Sequence, residues 1–298
     1  MSQLPAVIVV TGAAGALGGA LVDALVSRGD RVAAIDLPRS RERLAAEQTR
    51  LGERYLGLAI DAADPAAWRV ALGQIERDLG PVTGAALVAG GWQGGAALHE
   101  GEDDAVYRAM LASNVDSAYR ALRALLPGMV ARARGSVVVV SSRAAVQPWT
   151  SGGAAAYAAS KAAVAALVQA VAAEVLASGV RVNAILPSVI DTPANRAAMP
   201  DADPSRWVTP ASLAGVMAFL LSDAARDVSG ALVPVYGRSL RLPKWQMRSR
   251  STRGPCHDGA TPRATSPFSQ PKRAVLRFPW QWHMRCFSAS RVCRSTPS

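Results

Sequence analysis

Two side chains stand out as able to do chemistry together: the phenol of Tyr157 and the ammonium of Lys161, in the stretch Tyr157-Ala-Ala-Ser-Lys161. On a helix, residues four apart share one face, so the two groups would point into the same space. An ammonium held beside a phenol favours the phenolate, pulling a hydroxyl that ordinarily titrates near ~10 toward working pH. A tyrosine so poised can pass a proton to or from an oxygen on a substrate. The plain alternative is a surface Tyr and Lys on an Ala-rich helix. Composition argues against it, because 19 of the 20 basic residues in positions 1–237 are Arg and the remaining one is Lys161. A stretch that otherwise uses Arg has placed its one compact, pKa-tunable cation on that face.

A second candidate site lies near the start. Thr11-Gly12-Ala13-Ala14-Gly15-Ala16-Leu17-Gly18 follows an apolar run at 6–10 and precedes a helical pattern reaching about residue 28. Between a strand and a helix, Gly12, Gly15 and Gly18 let backbone amides meet a pyrophosphate. Asp36 lies 18 residues beyond Gly18 and closes a second apolar run at 31–35. There it is placed to accept hydrogen bonds from an adenine ribose. Its charge would repel a 2′-phosphate, which favours NAD(H) over NADP(H), while Arg39 and Arg41 nearby keep the second cofactor open.

The elements that must hold these residues follow in order. Further strand-like runs occupy 55–60, 82–88, 136–141, 180–186 and 231–236, with helical patterns at 103–126, 157–176 and 210–222 and a helix start at Asp61-Ala62-Ala63-Asp64-Pro65. Strands alternating with helices argue for a parallel sheet with helices on both faces. Continuously apolar strands agree with that. The spacing predicts an α/β fold, a three-layer doubly wound parallel sheet (Rossmann fold), in a single domain over residues 1–237.

Residues 238–298 are different material. They carry 13 basic residues and one acid, Asp258, whereas residues 1–237 balance 20 bases against 21 acids. The formal charge of +11 therefore belongs to the tail, and the domain gives no electrostatic reason to expect nucleic acid. A basic arm for nucleic acid or membrane is one reading of the tail. A disordered extension, out of frame past a stop near Gly237, accounts better for so sharp a break. All three cysteines (Cys256, Cys286, Cys293) lie there, and the last two with His283 match no zinc spacing, so no metal site is expected. No run nears the ~18 uninterrupted apolar residues of a membrane span, and the start has no signal-peptide pattern, so the expectation is a cytoplasmic protein without membrane partner.

Taken together, residues 6–237 resemble the short-chain dehydrogenase/reductase family. The matching motifs are the TGxxGxxG turn, Asp61 after the third strand, Asn114 in the helix after the fourth, Ser142 after the fifth, YxxxK, and Pro187-Ser188-Val189-Ile190-Asp191-Thr192. The resemblance implies a catalytic set of Ser142, Tyr157, Lys161 and Asn114. In it Tyr157 donates the proton, Lys161 tunes it and binds the nicotinamide ribose, Ser142 bonds the substrate oxygen, and Asn114 anchors a relay water. It also implies a cofactor site of Thr11, Gly12, Gly15, Ala16, Leu17, Gly18, Asp36, Asp61, Ala89, Gly90, Tyr157, Lys161, Pro187, Ile190 and Thr192. A small-molecule carbonyl or alcohol substrate and a homo-oligomer, dimer or tetramer, come with it.

Four departures stand against the family pattern. Ala16 replaces a glycine, and Val88-Ala89-Gly90-Gly91 lacks the asparagines that brace the sheet. Ser142 lies 15 residues before Tyr157, about two more than is common, so its loop bulges or Ser141 substitutes. Ser188 replaces a glycine. The run from Ala89 to Gly95 and the stretch 191–203 are similar to dihydropteridine reductase, which implies reduction of a quinonoid pterin as an alternative. In that alternative Trp92 and Trp207 either wall a flat ring or simply pack a loop. A non-catalytic dinucleotide-binding protein is the remaining alternative, and an intact catalytic set speaks against it.

Overall fold

The computed structural model describes residues 5–238; the reading of the tail lies outside them. The seven apolar runs form seven strands: β1 (Val7–Thr11), β2 (Arg31–Asp36), β3 (Tyr55–Ala59), β4 (Gly84–Leu87), β5 (Gly135–Val140), β6 (Val180–Pro187) and β7 (Leu232–Val235). All pair in parallel, in the order β3-β2-β1-β4-β5-β6-β7. Connections run outward in both directions from β1 and β4, so the chain leaves a crevice beyond the carboxyl ends of those two strands.

Both faces of the sheet are covered, which is why the strands read as continuous apolar runs rather than alternating ones. Val7 and Val9 of β1 face one core with Trp68 of α3 (Pro65–Asp78), Leu122 of a helix described below, and Val168. Ile8 and Val10 face the other, with Leu21 of α1 (Ala16–Arg28), Leu44 of α2 (Arg41–Leu51) and Leu213.

The helix expected over 103–126 differs in two ways. It consists of α4 (Ala105–Met110), a π-helical turn at Leu111–Asp116, and α5 (Ser117–Ala131). The helix also runs through Pro127 instead of ending before it. Proline removes a main-chain donor there, but Leu122, Leu125 and Met129 keep that segment buried on the sheet, and this packing outweighs the lost bond.

Helix α6 (Ala155–Val175) carries the Tyr-Lys pair along the same face. With the turn after it, it is long and apolar enough to cross a membrane, a property that a search for uninterrupted apolar runs misses. Here Val164, Val168 and Ala172 bury it against the sheet. Two more helices, α7 (Pro193–Ala198) and α8 (Pro210–Leu221), complete the described chain.

Candidate active site and dinucleotide cleft

A cleft of about 870 Å³ opens over the carboxyl ends of β1, β2 and β4, a size that suits a large ligand. One wall is the glycine turn. Gly12 has φ +66°, and a Cβ there would lie 2.9 Å from the Ala89 nitrogen. At Gly18 the approach is closer still: a Cβ would meet the Gly12 carbonyl oxygen at 2.1 Å. Only glycine lets α1 start so near the strand. The first turn of α1 has no side-chain cap, and Gly15, Ala16, Leu17 and Gly18 line the cleft. Leading N–H groups of an uncapped helix facing a cleft suit a diphosphate. The residues present therefore fit a dinucleotide.

Asp36, at the end of β2, lines the same cleft. Its carboxylate accepts from Ala14 N–H (2.9 Å), Leu37 N–H (2.8 Å) and the Ser40 hydroxyl (3.0 Å). Three internal donors hold it in place and leave part of its acceptor capacity for a ribose. Arg39, Ser40 and Arg43 line the rim beside it, and Arg43 Nη1 donates to the Ala14 carbonyl at 3.2 Å. Asp61 and Ala62 form the neighbouring wall, with Asp61 Oδ1 accepting from Ala63 N–H at 2.8 Å.

Thr11 does not face a ligand. It is 1 % exposed, and its Oγ1 accepts from Val88 N–H and Ala89 N–H, each at 3.1 Å. Bracing of the β4 end thus comes from β1, in place of the asparagines absent after β4. Ser188 is likewise put to use, donating to the Tyr236 carbonyl at 2.9 Å and tying the ends of β6 and β7.

At the other end of the cleft stand Ala89, Gly90, Gly91, Trp92, Ile190 and Thr192. Thr192 caps α7, accepting from Asn195 N–H at 3.1 Å, and Asn195 in turn donates to the Ile190 carbonyl at 2.8 Å. Pro187 ends β6 behind this wall and is not among the lining residues.

The catalytic candidates gather immediately beneath. The Ser142 hydroxyl stands against the phenol of Tyr157, where it draws the phenol's acidity constant down, and it also caps the turn after β5 by accepting from Ala144 N–H at 3.1 Å. Ser141 points the other way, donating to the Lys161 carbonyl at 2.8 Å. The longer loop therefore bulges, and Ser142 is the serine against the tyrosine. Lys161 is 5 % exposed; its Nζ donates to the Val140 carbonyl at 3.0 Å. A Cβ on Gly90 would lie 3.2 Å from that Nζ and 2.6 Å from Asn114 Oδ1, so the lysine and the asparagine both pack against the bare face of Gly90. Tyr157, Ser142, Lys161 and Asn114 are not themselves among the cleft-lining residues; Gly90, against which two of them pack, is.

One expectation changes. Burial pushes the Tyr157 phenol up, and the Ser142 hydrogen bond offsets only part of that. Burial also lowers Lys161 to about 8. Spacing on a helix reports a shared face but not solvation; Lys161 is buried and Tyr157 partly so, and desolvation sets the direction of both shifts. Asn114 is 1 % exposed. Its amide donates to the Gly91 carbonyl (3.1 Å) and Ser160 Oγ (3.0 Å), with Met110 Sδ at 3.8 Å, and Oδ1 accepts from Gly91 N–H (2.9 Å). It sits in the π-helical turn, a distortion common at functional sites.

Reading the sequence missed Ser160, Ser40 and Arg43. Ser160 sits inside the YxxxK stretch and is fully buried, which an Ala-rich helix conceals. Ser40 and Arg43 carry no signature; only the fold brings Ser40 to Asp36 and Arg43 to the Ala14 carbonyl beside it.

Among known proteins, a family model described as short chain dehydrogenase matches residues 6–203. The chain is 32 % identical over 246 residues to 2-(S)-hydroxypropyl-CoM dehydrogenase 3 of Xanthobacter autotrophicus, covering 78 % of this chain and 95 % of that one. It is 36 % identical over 229 residues to the inactive 2-(S)-hydroxypropyl-CoM dehydrogenase 2 of the same bacterium, covering 72 % and 96 %. A solved 3-oxoacyl-[acyl-carrier protein] reductase with bound NAD from Brucella melitensis superposes with a TM-score of 0.70 at 29 % identity, over 80 % of this chain and 93 % of that one.

Proposed function

Because this chain belongs to the short-chain dehydrogenase/reductase family and is therefore an oxidoreductase of small molecules, we propose that it interconverts a carbonyl and an alcohol with NAD(H), using Ser142, Tyr157 and Lys161. The observation that carries this reading is the placement of the Ser142 hydroxyl against the Tyr157 phenol, on the helix that also sets Lys161 at the Gly90 wall of the cleft. It matters because one relative of similar identity is described as inactive, so likeness alone does not decide between catalysis and its loss.

When bound, the nicotinamide cofactor supplies or accepts the hydride. The glycine turn and the first turn of α1 hold its diphosphate end, and Asp36 takes the adenine ribose. Ser142 presents its hydroxyl to the substrate oxygen while keeping the phenol oriented. Tyr157 gives its O–H proton to that oxygen during reduction and takes it back during oxidation. Lys161, pinned on the Val140 carbonyl, stands ready to stabilise the phenolate that remains. Asp36 supports NAD(H) over NADP(H), since its fixed carboxylate opposes a 2′-phosphate. An oligomer belongs to the same proposal, supported by the exposed small side chains of Ala159, Ala162, Ala166 and Ala170 along α6.

A second reading, reduction of a quinonoid pterin, draws on Trp92, which is 62 % exposed on the cleft wall and offers an apolar face to a flat ring. A steady-state screen with NADH against ketones, aldehydes and quinonoid dihydropterin separates the two. Turnover of ketones or aldehydes above the pterin supports the first reading, and turnover of the pterin alone the second. NADH binding without turnover of any would leave a dinucleotide-binding protein and sink both.

A further inference from the structure

Ser160 is the most deeply buried polar side chain near the site, 0 % exposed, and no step above uses it. Its hydroxyl donates to the Tyr157 carbonyl one turn back (2.8 Å) and accepts from Asn114 Nδ2 (3.0 Å). Asn114 in turn clasps Gly91 through both its N–H and its carbonyl. One continuous chain of hydrogen bonds therefore runs from the Gly90–Gly91 backbone, through the asparagine of the π-helical turn, to the first turn of the tyrosine's helix. Asn114 Oδ1 and Lys161 Nζ both face the spot where a Cβ on Gly90 would lie, at 2.6 and 3.2 Å, so no methyl group fits there. The clasp of Asn114 on Gly91 thereby holds the adjoining Gly90 backbone against the lysine.

We propose that Ser160 is a positioning residue: by fixing the Asn114 amide it holds the Gly90–Gly91 backbone over Lys161 and keeps the Lys161 ammonium dry, while anchoring the helical turn that presents Tyr157.

The Val140 carbonyl of β5 accepts from the ammonium, and the bare face of Gly90, shared with the Asn114 amide, lies against it. None of these groups titrates, Tyr157 lies one turn back on the same helix, and burial alone accounts for the depressed acidity constant of Lys161. Losing the hydroxyl leaves that Asn114 N–H only the Met110 sulfur, a weak acceptor at 3.8 Å. The amide then turns or water enters, and either event hydrates Lys161.

This inference rests on the oxidoreductase reading, so its test has an arm that needs no turnover. With only three lysines in the chain, a sample labelled at lysine Cε allows Lys161 to be titrated by NMR. In Ser160→Ala the Lys161 midpoint should move up by about half a pH unit or more, toward an exposed lysine. With a turned-over substrate, kcat should fall about tenfold and the basic limb of its pH profile should move the same way; the dissociation constant for NADH should stay within about twofold. Ser136→Ala serves as the control. Ser136 also donates one buried hydrogen bond, to the Leu220 carbonyl at 2.9 Å, but lies at the far end of β5, so it should lose comparable thermal stability with no change in the Lys161 midpoint or the pH profile.

Should Ser160→Ala fail to fold, Ser160→Cys keeps the size, weakens both hydrogen bonds and carries the same expectations at smaller amplitude. A Lys161 midpoint and pH profile that stay at wild-type values in a folded variant overturn the proposal. A shifted Lys161 midpoint in a chain that turns over no carbonyl would leave Ser160 its positioning role and sink the enzymatic reading instead.

Discussion

The two ends of the cleft are built from different materials. At the β1–β2 end the recognising surface is main chain: a glycine turn, an uncapped helix start, and one carboxylate held by two backbone N–H groups and a hydroxyl. At the β4–β6 end it is buried polar side chains; Asn114, Ser141, Ser142, Ser160 and Lys161 are five of the eleven buried polar residues described. The first end excludes side chains by sterics, and the second excludes water. Damage to the first should therefore cost binding and fold, whereas damage to the second should cost chemistry and leave binding intact.

The largest effect tests the second end. Tyr157→Phe removes the one proton the mechanism moves, and kcat should fall by about 10³ or more, within or above the range for a lost general acid. The dissociation constant for NADH, measured by fluorescence titration, should change little. Activity within a few-fold of wild type would end the assignment of the phenol as acid. At the first end, Gly18→Ala asks α1 to retreat from a carbonyl that its Cβ would meet at 2.1 Å. An overpacked backbone contact of this kind costs about 3 kcal/mol or more, so denaturant midpoints should drop and NADH binding weaken at least tenfold. If Gly18→Ala bound NADH normally, the steric account of this end would be wrong.

How much of this was legible beforehand follows from the same contrast. The strands could be read because burial on both faces makes each one an unbroken apolar run, and the glycine turn because its spacing is local. Tyr157 and Lys161 were legible through a composition contrast, a solitary lysine among arginines. What stayed hidden depends on tertiary placement. The π-helical turn around Asn114 and the helix running through Pro127 are decided by packing onto the sheet. Ser160 looks like filler among alanines until the Asn114 amide arrives from another element. The direction of the phenol's shift could not be read from a four-residue spacing, because that spacing carries no information about water.

A smaller effect sharpens the claim that water is excluded from the second end. Burial lowers Lys161 from 10.5 to about 8. Between those values the unfolded chain holds a proton that the folded chain has released, so stability should rise with pH across that window. The full difference is about 3 kcal/mol. Above ~10 Tyr157 acts in the opposite sense, since a raised phenol keeps its proton in the folded chain after the unfolded chain has lost it. The rise belongs to the interval from pH ~8 to ~10. Lys161→Met should flatten it and, by removing a buried charge, gain on the order of 1 kcal/mol near pH 7 while abolishing turnover. Urea midpoints of the two proteins that run parallel across that interval would show a hydrated lysine.

The smallest effect distinguishes charge from shape at the first end. Asp36→Asn keeps the size and one acceptor oxygen but removes the charge. The carboxylate lines the same cleft as Arg39 and Arg43, so neutralising it should let those guanidinium groups act on a 2′-phosphate without opposition. The ratio of NADPH to NADH dissociation constants should fall about tenfold, roughly 1.4 kcal/mol, chiefly because NADPH binds better. NADH itself should weaken only a few-fold, since the glycine turn and helix start still hold the diphosphate. A ratio that stays put while both cofactors weaken together would mean that Asp36 serves the fold through Ala14, Leu37 and Ser40 and discriminates nothing. In that case this end of the cleft would recognise its ligand by main chain alone.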